Sequence, residues 1–213
     1  MHCFKTAAVP ILRPGMPANR GHQPPRKPCN NRRMHPRQIQ HCNQCGTAVE
    51  HRVPEGDTHA RAVCPACGHI QYENPRNIVG TLPVWEGRVL LCKRAIQPRY
   101  GLWTLPAGFM EMHETTEQGA LRETHEEAGV EIELDGLYCM ANVKPVSQVY
   151  LLYRARMLRP HWEPGPETLE ARLFGATEVP WDQLAFRTVR ETLERFFAEQ
   201  QTGRYSLQIF DID

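Results

Sequence analysis

The sequence lacks any long apolar run. Nothing in its 213 residues approaches the roughly 18 consecutive apolar residues of a membrane-spanning helix, and the front of the chain has no signal-peptide apolar core. Net charge is also nearly absent, at +1 with His neutral, which argues against a whole-protein field that would draw in nucleic acid or membrane. The expectation is a soluble cytoplasmic chain. Acidic residues are missing from one region altogether. From Met1 to Val49 there is no Asp or Glu, while Lys5, Arg13, Arg20, Arg26, Lys27, Arg32, Arg33 and Arg37 are basic. Serine is missing from residues 1–39 as well, which weighs against an organellar transit peptide, since these are Ser-rich; a plastid location would follow only from a genuine one. With its prolines and no periodicity, the stretch 1–39 reads as a disordered basic leader. A nucleic-acid-binding arm is a second, less favoured reading; a leader without function, with Met34 as a candidate start, is preferred.

What is present includes enough apolar content, 41%, for one main domain plus something small. The most informative stretch is Gly108 to Val130, GFMEMHETTEQGALRETHEEAGV. Thr115 and Thr116 are N-cap candidates and Gly129 a natural helix stop. Leu121, Thr124 and Ala128 share a spacing that predicts an inward face, with Glu123, Glu126 and Glu127 converging on the opposite side. Three stacked carboxylates repel one another, so a cation is expected among them. A hard divalent ion suits oxygen ligands and is commonly held together with substrate phosphates. Arg122, an i, i+4 neighbour of Glu126, is placed to orient a carboxylate. A solvated acidic face is the plain alternative, and the fixed frame of Gly108, Glu114, Arg122, Glu123, Glu126, Glu127 and Gly129 weighs against it.

Cysteine usage carries the second signal. Cys42 and Cys45, then Cys64 and Cys67, form two CxxC pairs, each followed by a glycine and separated by the 18 residues from Gly46 to Val63. That is four-thiolate zinc spacing, and a closed four-sulfur shell leaves no open position for water, so the site reads as structural. Disulfides and reduced buried thiols are the alternatives. Cys3, Cys29, Cys92 and Cys139 fall outside any pairing pattern, which suits a reducing compartment. Between the pairs Glu50, Glu55 and Asp57 balance Arg52 and Arg61, so no basic stripe appears. A scaffold or dimer contact is favoured over nucleic-acid binding for this unit.

After a hinge at Glu73–Arg76, the pattern predicts strands over 77–85 and 88–93 around a Glu86-Gly87 turn, with Pro83 arguing for an edge or a bulge. Trp103 to Ala107 delivers the chain to Gly108. The loop 94–101 carries Arg94, Arg99 and Tyr100; Arg99 and Tyr100 are candidate contacts for a diphosphate and its base, against an ordinary surface loop. Further strands are expected over 131–143, 146–158 and 170–176, then an amphipathic helix from Leu184 to Gln201. Ser206 to Asp213 carries no signal.

The stretch Gly108–Val130 resembles the Nudix box of the Nudix hydrolases. The resemblance implies an α/β/α sandwich preceded by a four-Cys zinc ribbon. It also implies Mg²⁺- or Mn²⁺-dependent hydrolysis of a nucleoside diphosphate linked to another moiety. By position it makes Glu123, Glu126, Glu127 and Gly108 metal-site residues, and Glu126, Glu127, Arg122 and Glu114 the catalytic set. One position departs, Thr124, where an aliphatic residue is usual. Such enzymes often supply a further glutamate from a later loop, for which Glu167 and Glu170 are available. The implied layout is leader 1–39, zinc ribbon 40–73, Nudix domain 76–203 and tail 204–213, with a homodimer expected. A ribbon joined to this domain resembles the NADH pyrophosphatases, but of their SQPWPFPxS signature only Ser147-Gln148 is present, followed by Val149-Tyr150. The longer run, from Cys42 through residues 78–111 and Ser147–Met157 to EVPWDQLAF, resembles a zinc-ribbon group associated with FAD and ADP-ribose pyrophosphatase activity. The lead expectation is therefore cleavage of FAD to FMN and AMP, or of ADP-ribose to AMP and ribose 5-phosphate. NADH or NAD-capped RNA hydrolysis is the alternative, and a non-catalytic nucleotide-sensing or nucleic-acid-binding regulator the alternative of another class.

Overall fold

The computed structural model describes residues 38–213, so the basic leader lies almost wholly outside the described residues, as do Cys3 and Cys29. The first described unit is a three-stranded antiparallel sheet, β1 (Glu50–Arg52), β2 (Arg61–Val63) and β3 (Ile70–Gln71). Its two cysteine knuckles are built alike. The Gly46 and Gly68 amides donate back to the Cys42 and Cys64 carbonyls at 2.9 and 3.0 Å, and both glycines are left-handed, φ 75° and 74°. Strands of two or three residues bury only Ala62, Val63 and the two inner cysteines among hydrophobic side chains, too little for a free-standing core.

The main sheet follows. β4 (Arg76–Trp85) and β5 (Arg88–Arg94) form a hairpin whose turn residues Glu86 and Gly87 both have positive φ, the geometry of a type I′ turn. Then come β6 (Trp103–Thr104), β7 (Ala107–Phe109), helix α1 (Thr116–Ala128), β8 (Ile132–Val143), β9 (Gln148–Met157), β10 (Thr168–Phe174), helix α2 (Arg187–Gln200) and β11 (Gln208–Ile212). The strand order is β10-β5-β4-β9-β8-β11, with β6 added to β5 and β7 to β4. The β4–β9 and β8–β11 ladders are parallel and the others antiparallel.

Helix α2 lays Val189, Leu193, Phe196 and Phe197 onto Leu82, Val89, Leu91, Tyr138 and Leu152. On the opposite face α1 meets Val79 and Tyr153 through Ala120, while Ala128 and Val130 pack with Leu90, Cys92 and Met157. These are the three layers expected.

Three local expectations change. Pro83 is neither at an edge nor in a bulge, for β4 is central. On one side β7 pairs with Ile78–Gly80 and β5 with Val84–Trp85, and Pro83 falls between them, where neither ladder reaches its missing N–H. Helix α2 begins at Arg187, because Leu184 is engaged in a bridge to Trp103 and Phe186 is the N-cap. The tail contributes β11, which extends the sheet by pairing in parallel with Cys139–Val143.

Candidate active site

Thr115 caps α1. Its hydroxyl accepts from the Gln118 amide at 3.1 Å, and the Gln118 side chain accepts from the Thr115 amide at 2.8 Å, a closed capping box. Gly129 ends the helix in the left-handed conformation, φ 58°. The following loop seals that end, with the Glu163 amide donating to the Ala128 carbonyl and the Gly165 amide to that of Glu127.

The helix is rotated from the expected arrangement. Thr124 and Ala128 are buried as expected, but Leu121 is 40% exposed and Glu127 only 7%. At roughly 100° per residue Glu127 lies about 20° from Ala120, within the buried stripe, while Leu121 sits about 100° from Ala120 at its margin. Glu123 comes next around the helix and Glu126 is furthest out, with side chains 12% and 56% exposed. The three glutamates therefore form a gradient from core to solvent rather than one exposed face.

Each carboxylate has a distinct neighbour. The Ala107 amide donates to Glu127 Oε2 at 3.1 Å. Burial pushes the Glu127 carboxyl up to about 8, helped by the charges of Glu123 and Glu167 and opposed by the Ala107 amide and Arg94. Glu123 is also raised by burial, against the pull of Arg122. Its carboxylate lies against Gly108, where a Cβ would fall 2.3 Å from Oε2. Arg122 links the set: Nη1 donates to Glu123 at 2.6 Å and Glu126 at 3.1 Å, Nε and Nη2 donate to Glu114 at 3.0 and 2.8 Å, and Nη2 also reaches the Phe109 carbonyl. That fork, with the Glu111 amide, holds Glu114 down to about 2. Carboxylate oxygens are ligands of the kind that suit a hard divalent cation.

Of the two later glutamates, Glu167 is the one whose charge acts on Glu123 and Glu127. Glu170 is exposed on β10 opposite Lys93, on the strand face opposite Ala171. Arg99 and Tyr100 lie in a surface loop, Arg99 with φ 68° and Tyr100 55% exposed. Neither is bonded to the carboxylates. Arg94, at the end of β5, is nearer in effect, since its charge opposes the rise of Glu127 while its guanidinium sits 5.2 Å over the Phe186 ring.

Sequence reasoning also missed a groove of about 440 Å³ beside Glu114, lined by Arg76, Asn77 and Phe109 to Glu114. Phe109 is 46% exposed with Arg76 stacked 4.9 Å over its ring. The Arg76 amide donates to the carbonyl of Ser147, so the Ser147-Gln148 turn abuts the groove. The available signal was an aromatic residue directly after Gly108. A second cavity, about 310 Å³ and bordered by Arg154, Phe196 and Tyr205, involves the α2 side and none of these carboxylates.

The four ribbon sulfurs all lie within 4.8 Å of one another, with Cys42–Cys67, Cys45–Cys64 and Cys45–Cys67 at 3.7, 3.5 and 3.6 Å. A tetrahedron with bonds of about 2.3 Å has edges of about 3.8 Å, close to these three separations, so the donor set suits zinc. Among the described residues no other group of three or more metal-ligating side chains is as tightly gathered.

Comparison with known proteins agrees with this architecture. The zinc-ribbon profile described as Nudix N-terminal matches residues 40–73, and the NUDIX domain profile matches residues 74–199. The crystal structure of a NUDIX hydrolase from Nitrosomonas europaea is 49% identical with a TM-score of 0.79, covering 82% of this chain and 99% of that one. The NAD-capped RNA hydrolase of Stutzerimonas stutzeri is 31% identical over 168 residues, 76% of this chain and 56% of that protein. Its namesake in Pseudomonas aeruginosa PAO1 is 35% identical over 94 residues, 43% and 31% of the two chains. The chain thus spans about a third to about half of these curated relatives. An ADP-ribose pyrophosphatase from Streptococcus suis, 21% identical with a TM-score of 0.53, shares the fold. A catalytic-type helix on a mixed sheet, behind a four-cysteine ribbon and matched on both counts, places the chain in the Nudix hydrolase family, among its zinc-ribbon members.

Proposed function

We propose that the protein is a divalent-metal-dependent pyrophosphatase that hydrolyses the diphosphate of an NAD-type dinucleotide, free or at the 5′ end of an RNA. The observation that carries the chemistry is the graded carboxylate set, with Glu127 buried on the Ala107 amide, Glu123 folded onto Gly108, and Glu126 open to solvent. Glu123, Glu126, Glu127 and the backbone at Gly108 would hold Mg²⁺ or Mn²⁺. Such an ion would neutralise phosphate charge and favour deprotonation of the attacking water. Water oxygen bonds to phosphorus as the bridging P–O bond breaks, giving two phosphomonoesters and a proton. Glu126, the most exposed of the three carboxylates, or Glu127, beside the Ala107 amide, is proposed to take that proton. Arg122 and Glu114 fix the orientation of Glu123 and Glu126. Arg99, Tyr100 and the Arg76–Phe109 groove are proposed to contact the nucleotide. Zinc is proposed for the four cysteines.

The NAD-type substrate is supported by the Stutzerimonas stutzeri relative, which aligns over 76% of the chain and 56% of its own length. One observation keeps FAD and ADP-ribose as the second reading. After Ser147, the chain enters β9 at once, and Val149 and Tyr150 pair with Asn77 and Ile78, so the proline-rich half of the SQPWPFPxS signature has no counterpart at this groove. A homodimer is also proposed, on the exposed Leu207 and Ile209 at the β11 edge, and sedimentation tests it. The deciding experiment is a panel of NADH, NAD-capped RNA, FAD and ADP-ribose with Mg²⁺ and with Mn²⁺, products identified, beside Glu127→Gln. Turnover of an NAD-type substrate that is lost in the variant is expected; no turnover of any of the four, or full activity in the variant, refutes the proposal.

A further inference from the structure

Thr81 on β4 and Thr124 on α1 are both wholly buried, and their hydroxyl oxygens are 2.7 Å apart. Thr124 also donates to the Ala120 carbonyl one turn back, at 2.7 Å. That uses its only proton, so Thr81 is the donor of the pair. Two hydroxyls in a dry helix–sheet interface are tolerated only when paired, whereas aliphatic side chains would fill the space without this constraint. The pair sits where α1 meets the strands that hold its glutamates. Gly80, the neighbour of Thr81, is in register with Ala107, and Val79 with Gly108. Ala107 donates to Glu127, and Gly108 lies against Glu123.

We propose that Thr81 and Thr124 form a registration pin, a pair of positioning residues that sets the rotation of α1 against β4 and thereby the placement of Glu123 and Glu127. The proposal rests on the reading of those glutamates as metal-holding. Apolar contacts tolerate sliding, while a hydroxyl pair holds within a few tenths of an ångström. A helix rotation of about 10° displaces groups about 6 Å from its axis by about 1 Å, enough to cost about 100-fold in rate.

The test uses the full chain. Thr81→Val removes the donor and leaves Thr124 satisfied by Ala120. The double variant Thr81→Val/Thr124→Val replaces both by apolar groups of similar shape, and Thr81→Ser keeps the hydroxyl. Hydrogen exchange of the Ala107 amide is read beside kcat and KM. In Thr81→Val and the double variant, Ala107 exchange is expected to rise about tenfold while the rest of β4 and α1 keep their protection. At saturating Mn²⁺, kcat should fall about tenfold or more with KM nearly unchanged, and Thr81→Ser should restore both. Ala107 protection equal to wild type in the two valine variants overturns the pin. So does exchange that accelerates uniformly along α1, which assigns the pair to stability alone. If the wild type hydrolyses no diphosphate but Ala107 follows the expected pattern, the pin stands and the hydrolase reading falls.

Discussion

Replacing Gly108 by Ala tests the carboxylate arrangement at its tightest contact. An ideal Cβ there would lie 2.3 Å from Glu123 Oε2, 2.4 Å from Cδ and 2.5 Å from Oε1, whereas ordinary contact begins at 3.4 Å. The carboxylate must therefore retreat by 3.4 − 2.3 = 1.1 Å. Gly108 is not among the positive-φ glycines, so alanine meets no backbone penalty. Glu123 is nonetheless not free to yield. Its side chain is 12% exposed and bound to Arg122 at 2.6 Å, so the retreat strains a rotamer and weakens a charged hydrogen bond. These effects together cost about 1–3 kcal/mol, a fall of several degrees in Tm. A shift of about 1 Å in a carboxylate proposed to hold the metal predicts a kcat about 100-fold lower, a loss far beyond that expected from the folded fraction. Steady-state hydrolysis, with products quantified and melting followed in parallel, separates the two. Gly80→Ala is the control, because its Cβ would meet the Pro106 carbonyl at 2.3 Å and the Ala107 Cα at 2.7 Å, backbone that cannot swing aside. It should lose the fold, whereas Gly108→Ala loses function. A folded Gly108→Ala enzyme within twofold of wild-type kcat would refute the placement of Glu123.

The remaining expectations are as direct. Metal analysis should find about one zinc per chain, and a strong chelator or Cys64→Ser should release amide protection across residues 40–73 while β4 and β9 keep theirs; unchanged ribbon protection without zinc would contradict the structural role. Glu127, raised from 4.5 to about 8, contributes stability that is complete below about pH 4.5 and is lost as pH rises through about 8, so metal-free protein should lose stability over that window. Divalent-metal affinity should rise over the same window, and a titration that is flat with pH argues against Glu127 as a ligand. Because the Glu167 charge raises Glu127, Glu167→Gln should move that affinity profile to lower pH and Glu170→Gln should leave it in place; equal effects would mean that the loop is misassigned. Glu199 accepts from the Tyr138 hydroxyl, Ser206 and Gln208, so Glu199→Ala should cost about 1–3 kcal/mol of stability by calorimetry with kcat unchanged.

Local chemistry made most of the fold legible. Glu86-Gly87, Thr115 and Gly129 announced a hairpin turn, a cap and a stop, because each of those conformations admits few residue types. The tail escaped for the opposite reason. Gln208 to Ile212 is a short edge strand whose pairing with β8 is parallel and non-local, and what ties the tail down is Glu199 on α2 and Lys144 after β8, whose ammonium reaches Asp211 and Asp213 at 3.3 and 2.8 Å. Nothing within five residues can reveal such partners. Pro83 misled for a similar reason, since its tolerance depends on where β7 ends and β5 begins.

In the candidate site, the helix positions of the glutamates were legible and their environments were not. Spacing alone places Glu123, Glu126 and Glu127 on one side of a helix, and from that view they look equivalent. They became distinct once β7 lay across the helix, giving Glu127 an amide and a dry surrounding, Glu123 a glycine surface, and Glu126 solvent. Rotation also explains why Leu121 is exposed although it looked like a core residue: the stripe is centred between Ala120 and Thr124, where small side chains and a hydroxyl pair let α1 approach the sheet closely. The threonine that breaks the aliphatic pattern draws its meaning from Thr81, 43 residues earlier in the chain, a partner that no local pattern can show.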